Sequence, residues 1–278
     1  MGELEYWAHS SQVHDDHGII VLMEPIQIRA FDKPLDIRLS GDSVSLPPAL
    51  RTKADAYWRE LLVQKPKLFN GEVFTVRSVE ENASAIHILL DETDYAHYLY
   101  GQHAKDLGEY TVRNIHPAAL VVSSDDKLIF GTMGPHTSLS GTIQCCGGGI
   151  DRQAVKEDGT VSVDTTMLTE LSEELGITAD DRRVASITPK HLKFGGPTGK
   201  MTVVYIVKLT VTAELFMVDY SRFVDTLKAR GEDPEFSELF SIARNPKIIT
   251  AFIEEHADRL SEYMPILLNT VADPATAI

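Results

Sequence analysis

The segment TELSEELGI, residues 169–177, contains three glutamates: Glu170, Glu173 and Glu174. In an α-helix, side chains at positions i, i+3 and i+4 lie on one face, so the three carboxylates are predicted to crowd together. Each like-charged pair costs about 0.2–0.5 kcal/mol on an isolated helix, and anions near a helix C-terminus also oppose the helix dipole. A divalent cation with oxygen ligands would reverse this cost. The pattern therefore indicates a metal-binding helix face.

The helix that carries these glutamates is predicted over residues 165–175, with Asp164 as N-cap and Gly176 as its stop. Its apolar residues occupy another face and would anchor it on a core: Met167, Leu168, Leu171 and Leu175. Taken alone, three such glutamates more often form a solvated acidic face, because short patterns match by chance. The neighbouring sequence changes that balance.

A run of glycines lies upstream, in CCGGGID, residues 145–151. The segments Gly147-Gly148-x-Ile150-Asp151 and Glu170-Leu171-x-Glu173-Glu174-x-Gly176-Ile177 together resemble the Nudix box, a loop–helix–loop signature. The resemblance implies that the helix glutamates hold Mg²⁺ against a substrate diphosphate, and Mn²⁺ can replace it. It makes Glu170, Glu173 and Glu174 metal ligands and catalytic residues, and Gly147 a further ligand through its backbone carbonyl.

Two features depart from the family pattern. The arginine that normally precedes the first helix glutamate is Thr169 here. The loop between Gly148 and Glu170 is also longer than usual by about seven residues, an insertion that costs little free energy. Neither departure removes an expected ligand. An enzyme of low activity and a binding domain without turnover therefore both stay open.

Other site residues rest on weaker signals. Metal-assisted attack by water needs a base near the metal, and in the Nudix family an acid from a late loop often serves. Glu235 is the candidate base, with Glu238 beside it in the sequence. Arg152 and Lys193 are the candidates for binding substrate phosphates. Each of these residues is equally typical of an ordinary surface.

The substrate expectation comes from the N-terminal half of the chain. Residues 66–71 (PKLFNG) and 93–95 (TDY) look like the leader region of a Nudix subgroup that includes hydrolases of UDP-sugars. That likeness implies a nucleotide sugar, with uridine the favoured base. Tyr98 lies close in sequence to Tyr95 and Tyr100, and these tyrosines would offer a stacking surface for a base or sugar. Ordinary packing is an equal alternative.

The order of predicted elements indicates the fold class. A smaller α+β region is predicted over residues 1–110, with strands over 19–40, 72–79 and 84–91 and a helix over 51–64. From 111 to 278, strands over 118–122, 127–131 and 201–212 alternate with helices over 165–175, 220–230 and 246–261, with an apolar stretch at 236–243. This alternation favours an α/β layer fold. The Nudix resemblance specifies an α/β/α sandwich with a mixed sheet.

Composition limits the partners and the compartment. The chain has 26 basic and 41 acidic residues, a net charge of −15, which disfavours a nucleic-acid partner. It has no run of about 18 apolar residues, so no transmembrane helix is expected, and the N-terminal MGELEYWAHSSQ lacks the features of a secretory signal. The adjacent Cys145 and Cys146 form no disulfide framework, which favours the cytoplasm. The expected partner is a small-molecule diphosphate, and a homodimer stays an open alternative to a monomer.

The preferred function is magnesium-dependent hydrolysis of a nucleoside diphosphate linked to another group, such as a UDP-sugar, by attack of activated water on phosphorus. Three alternatives stay open: a catalytically silent ligand-binding protein on the same fold, a hydrolase of a non-nucleotide such as a prenyl diphosphate, and an acidic scaffold with solvated glutamates. Magnesium binding distinguishes the scaffold from the others, and turnover distinguishes an enzyme from a silent binding protein.

Overall fold

The structure is a computed structural model that describes residues 25–104 and 107–272. The predicted strand residues 19–24 and the N-terminal segment considered as a signal lie outside these ranges. No helix of the described part is long and apolar enough to cross a membrane.

The described chain forms the following elements in order: β1 (Gln27–Ala30), β2 (Leu35–Ser43), α1 (Pro48–Gln64), β3 (Glu72–Glu81), β4 (Ile86–Asp94), α2 (Tyr95–Ala104), β5 (Ile115–Val122), β6 (Lys127–Met133), β7 (Ile143–Gln144), α3 (Val163–Leu175), β8 (Val184–Phe194), β9 (Met201–Leu209), α4 (Ala213–Ala229), β10 (Phe236–Ala243), α5 (Pro246–Glu255) and α6 (Met264–Val271).

The larger sheet has the strand order β1-β8-β9-β5-β6-β10, with β7 paired to β6. It is mixed, because β5 and β9 run parallel whereas the other neighbouring strands are antiparallel. Successive strand residues face opposite sides, so Ala119 of β5 packs in one core with Leu171 of α3, and Leu120 packs in another with Leu267 of α6. Helices therefore cover both faces, and the predicted mixed α/β fold is confirmed.

The smaller sheet has the order β2-β4-β3 and lies in the N-terminal region. Its inner residues, such as Ile37 and Ile88, belong to the same core as α3. The N-terminal region also supplies β1, which pairs with β8 at the edge of the larger sheet. The two regions thus share a sheet and a core, and the domain division at residue 110 stays a prediction.

The ends of α3 follow local chemistry with one difference from the prediction. The N-cap is Ser162, whose hydroxyl accepts a hydrogen bond from the Thr165 amide, and not Asp164. Asp164 accepts instead from the hydroxyl of Tyr205 in β9. Both residue types cap helices well, and the contact with Tyr205 takes Asp164 out of that role. Gly176 ends the helix in the left-handed conformation (φ 64°), as predicted.

Several elements differ from the sequence expectation. β8, α2 and α6 were not expected, and the apolar stretch at 236–243 is the strand β10. β8 lacks a regular alternation because bulges interrupt its register near Val184 and Pro189. The helix expected at 220–230 begins earlier, at Ala213, and the helix expected at 246–261 ends at Glu255.

An ion pair between the buried Lys193 and the partly exposed Glu262 ties the end of β8 to the segment before α6. The Lys193 side chain is 1% exposed, and its ammonium donates to Glu262 Oε1 at 2.6 Å. The ammonium also donates to the backbone carbonyls of Gly195 and Lys200, both at 2.9 Å. A buried ammonium needs such acceptors, because burying a charge without a partner is costly.

Glu262→Gln should lower the free energy of unfolding by about 3 kcal/mol, because it leaves the buried charge of Lys193 without its carboxylate. The exposed Glu255→Gln is the matched control and should change stability by no more than about 0.5 kcal/mol. Denaturant unfolding of both variants measures the difference. Equal, small effects of the two substitutions would contradict a stabilising role for this pair.

Candidate active site

The three helix glutamates have different environments. Glu174 is 2% exposed, Glu170 is partly buried and Glu173 is exposed. α3 packs on the core through residues such as Met167 and Leu171, which fixes the direction of each glutamate. The residues at i and i+4 therefore lie against the protein, and Glu173, at i+3, is exposed but close enough for its charge to act on Glu170.

The glycine pair brings the loop after β7 against both buried glutamates. A Cβ atom on Gly147 would lie 2.9 Å from the Cα of Ala118 in β5, and a Cβ on Gly148 would lie 2.5 Å from the Cδ of Glu170. The Gly147 amide donates to Glu174 Oε2 at 3.0 Å. The two segments of the sequence motif are thus in direct contact, and the glycines allow the close approach.

Glu235 completes this cluster from the loop before β10. The carboxyl group of Glu235 lies close enough to that of Glu174 to raise the pKa of Glu174. The charge of Glu235 also acts on Glu170. The backbone position of Glu235 is fixed because its carbonyl accepts from the amide of Gly134 at 2.6 Å. Glu235, the residue expected from the sequence to act as the base, therefore lies close to the helix glutamates.

Burial and like charges shift the pKa values of both inner glutamates upwards. Burial, followed by the charges of Glu170 and Glu235, raises the pKa of Glu174 to about 9, although a hydrogen bond from Cys146 opposes the shift. Burial, followed by the charges of Glu235, Glu173 and Asp151, raises the pKa of Glu170 to about 7. In the described residues no lysine or arginine forms an ion pair with either glutamate.

A divalent cation fits this cluster chemically. Carboxylate oxygens are hard donors, and a cation would supply the positive charge that the buried carboxylates lack. Within residues 25–104 and 107–272, no three His, Cys, Asp or Glu side chains form a ready ligand group. A complete ligand set would therefore include groups other than the carboxylates, such as the Gly147 carbonyl and water.

Arg152 and Lys193, the residues expected to bind phosphate, are both engaged elsewhere. The Arg152 guanidinium donates twice to Glu72 at 2.8 Å and once to Glu92 at 2.9 Å, which ties the glycine loop to β3 and β4. The buried Lys193 uses its donors on Glu262 and two carbonyls. Contrary to the sequence expectation, Lys193 therefore offers no free donor to a phosphate, because its buried charge requires those acceptors.

Tyr98 lies on α2 in a group of aromatic side chains. Its ring stacks on that of Tyr95, with 5.8 Å between ring centres and 20° between planes. The Lys200 ammonium lies 5.3 Å from the centre of the Tyr98 ring. This arrangement forms a partly exposed aromatic surface with an adjacent positive charge.

Two residues near Glu174 were missed in the sequence. Cys146 interacts with the Glu174 carboxyl group and lowers its pKa, against the larger effect of burial. Tyr220 of α4 donates to the carbonyl of Phe236, and burial, with smaller effects of Glu174 and Cys146, raises its pKa. The position of Cys146 directly before the glycine pair could have indicated that it lies near the site. Tyr220 had none, because only the packing of α4 brings it close.

The raised pKa values predict that the protein without added metal loses stability as pH rises from about 5 to 9. Unfolded glutamates ionise near pH 4.5, whereas folded Glu170 and Glu174 keep protons up to about pH 7 and 9. For each of the two groups, the free energy of unfolding should fall by up to about 1.4 kcal/mol per pH unit between its unfolded and its folded pKa.

Glu174→Gln should flatten the decline above pH 7, because glutamine does not ionise. Glu255→Gln, which removes an exposed carboxylate at the end of α5, should leave the slope unchanged. Denaturant titrations at several pH values measure both slopes. A Glu174→Gln variant with the wild-type slope would show that the carboxyl group does not hold its proton in the folded protein.

Comparison with protein-family models and with curated proteins gave no match. Among solved structures, a hydrolase of the NUDIX family from Clostridium perfringens is 13% identical, with 59% of this chain and 99% of that chain covered and a TM-score of 0.34. The NUDIX domain of Shewanella oneidensis NrtR, complexed with ADP ribose, is 12% identical, with 64% and 98% covered and a TM-score of 0.34. A bifunctional NMN adenylyltransferase/ADP ribose pyrophosphatase from Francisella tularensis, complexed with AMP and a Mn ion, is 12% identical, with 62% and 45% covered and a TM-score of 0.37. Such low identities and TM-scores assign neither a family nor an activity to this chain.

Proposed function

We propose that the protein is a divalent-metal-dependent hydrolase of the Nudix type, which cuts a diphosphate linked to another group. The observation that carries this proposal is the contact of the partly buried Glu170 and the buried Glu174 with the glycine pair of the same motif. Glu235 lies beside them, and their charge has no basic partner in the part of the chain that the structure describes. Mg²⁺ is the expected metal, and Mn²⁺ can replace it.

Glu170, Glu173 and Glu174 would hold the metal, with the Gly147 carbonyl as a further ligand. Bound divalent ions supply charge neutralisation at the diphosphate and activation of a water molecule. Attack of water on phosphorus releases a proton, and Glu235 is the expected acceptor. Glu235 is exposed whereas Glu174 is buried, so a proton taken up at Glu235 can pass to solvent.

The substrate is proposed to be a nucleotide sugar, with uridine as the favoured base. A metal that contacts only the diphosphate does not distinguish one attached group from another, so a separate surface must do so. The stacked rings of Tyr98 and Tyr95 offer such a surface, and Lys200 adds a positive charge beside them. The short N-terminal strings PKLFNG and TDY support the same subgroup.

A silent ligand-binding protein is the second candidate, and Thr169 favours it. Thr169 is exposed, and its hydroxyl donates to the Thr165 carbonyl of the same helix, so it does not take the place of the family's arginine beside Glu170. Arg152, another basic residue near the loop, is paired with Glu72 and Glu92. Tight binding of Mg²⁺ and a diphosphate without turnover would identify this candidate.

Gly148→Ala should lower magnesium-dependent hydrolysis at least about tenfold, because the new methyl group displaces the carboxyl group of Glu170. The protein should still fold, since the displaced atoms are the end of a flexible side chain. Gly149→Ala is the matched control, because a Cβ there meets no atom within 4 Å. Initial rates and thermal unfolding of both variants measure the effect, and equal rates in the two would contradict the proposed role of Glu170.

The substrate prediction is that UMP release from UDP-glucose with Mg²⁺ exceeds the cleavage of ADP-ribose, NADH and a prenyl diphosphate. Tyr98→Ala should raise KM for the preferred nucleotide more than it changes kcat, because stacking binds the ground state and the transition state alike. Preference for ADP-ribose would remove only the uridine assignment. Preference for the prenyl compound would overturn the nucleotide-sugar assignment while leaving the metal site intact.

A further inference from the structure

The glycine loop, residues 147–149, is the part of the chain that contacts the inner glutamates of α3. Its start is fixed, because the Cys146 carbonyl accepts from the Ala119 amide of β5 at 2.7 Å. Three consecutive glycines follow, and glycine restricts the backbone less than any other residue. The conformation of the loop therefore depends on what holds its other end.

Ile150 and Arg152 hold the other end of the glycine loop. Ile150 packs in the core with α3, a contact that is not directional. The Arg152 guanidinium donates through Nε and Nη2 to the two carboxylate oxygens of Glu72, both at 2.8 Å, and Nη2 also donates to Glu92 at 2.9 Å. Such a paired contact fixes the direction of the guanidinium as well as its distance. Glu72 begins β3 and Glu92 lies on β4, so Arg152 attaches the loop to the smaller sheet in one orientation.

The segment after Arg152 stays on the same sheet until α3 begins. The Val161 amide donates to the carbonyl of Ile37 in β2 at 2.8 Å. Because the sheet has the order β2-β4-β3, the chain crosses the sheet between this contact and Arg152. The next residue, Ser162, is the N-cap of α3. The smaller sheet thus holds both parts of the motif, the glycine loop and the helix that carries the glutamates.

The metal site depends on the relative position of these two parts. A Cβ atom on Gly148 would lie 2.5 Å from the Cδ of Glu170, and the Gly147 amide donates to Glu174 Oε2 at 3.0 Å. A loop that moved away from α3 by about 1 Å would break this hydrogen bond. It would also leave the carboxyl group of Glu170 free to rotate. Both inner glutamates therefore need the loop at its present distance.

We propose that Arg152 is a positioning residue that holds the glycine loop against Glu170 and Glu174 in the arrangement that binds a divalent metal. This inference rests on the proposed function, because it takes those glutamates as metal ligands. Arg152 acts through the backbone of the loop, since its own donors bond to Glu72 and Glu92. Its positive charge would by itself repel a cation. Removal of Arg152 should therefore strengthen metal binding if only its charge matters, and weaken metal binding if it holds the loop.

The test is Mn²⁺ binding to the full chain, followed by electron paramagnetic resonance of the free ion. Arg152→Ala should weaken binding about tenfold, the lower end of the effect of groups that support metal ligands. Arg77→Ala is the matched control, because Arg77 is an exposed residue of β3 that pairs with two carboxylates, those of Asp42 and Asp91. This variant removes the same charge and leaves the partners of Arg152 in place. It should bind Mn²⁺ at least as tightly as the wild type.

A second measurement tests whether Arg152 acts through Glu72. Glu72→Ala, introduced into the Arg152→Ala protein, should change the Mn²⁺ affinity by less than about twofold, because the contact between the two side chains is already absent. A further tenfold loss in the double variant would contradict action through this contact.

Thermal unfolding shows whether the variants stay folded. Arg152→Ala and Arg77→Ala should unfold within about 3 °C of the wild type, because exposed ion pairs contribute little to stability. Arg152→Met keeps the apolar stem of the side chain next to Phe74 without a donor, and it replaces the alanine variant if that variant does not fold.

The outcomes separate this inference from the proposed function. Binding in Arg152→Ala that is as tight as in Arg77→Ala, or tighter, would overturn the role of Arg152 and leave the proposed function intact. A wild-type protein that binds no Mn²⁺ would overturn the proposed function and the inference together. Wild-type binding without hydrolysis, combined with weak binding in Arg152→Ala, would overturn hydrolysis and support the role of Arg152.

Discussion

The site depends on one close contact, in which the glycine loop passes between the backbone of β5 and the carboxyl groups of α3. Gly147 lies against Ala118, and Gly148 lies against Glu170. A side chain at Gly147 would collide with the backbone of β5, and one at Gly148 would displace the carboxyl group of Glu170. Because this loop also supplies the Gly147 amide that bonds to Glu174, the orientation of both inner glutamates follows from the same contact.

This contact places carboxyl groups together in a buried environment, which is unfavourable when they are charged. The core packing of α3 compensates, since Met167, Leu171 and Leu175 are fully or almost fully buried. A proton on Glu174 also removes one of the charges at neutral pH. A cation would remove the need for that proton, so metal binding at this site would be coupled to proton release.

The N-terminal region contributes to the frame of the site. Arg152, just after the glycine loop, bonds to Glu72 and Glu92 in the smaller sheet and lies 5.9 Å from the centre of the Phe74 ring. The same sheet leads directly into α2, which carries Tyr95 and Tyr98. The surface proposed to recognise the group attached to the diphosphate is thereby connected to the loop that positions the glutamates. Substitutions in the aromatic surface of α2 should therefore affect the glycine loop, and the reverse should also hold.

Local sequence patterns were sufficient for α3, for its stop at Gly176, for the strands β5, β6 and β9, and for the motif that pairs the glycines with Glu170 and Glu174. These features depend on residues close in the chain, through helix periodicity, strand alternation and the conformational freedom of glycine. The tertiary structure alone decided that Glu235 lies beside Glu174, that Lys193 is buried on Glu262, and that Cys146 faces α3. Those contacts join distant residues, and the direction of a side chain in a sheet depends on which strands become neighbours. No pattern within a short segment carries that information.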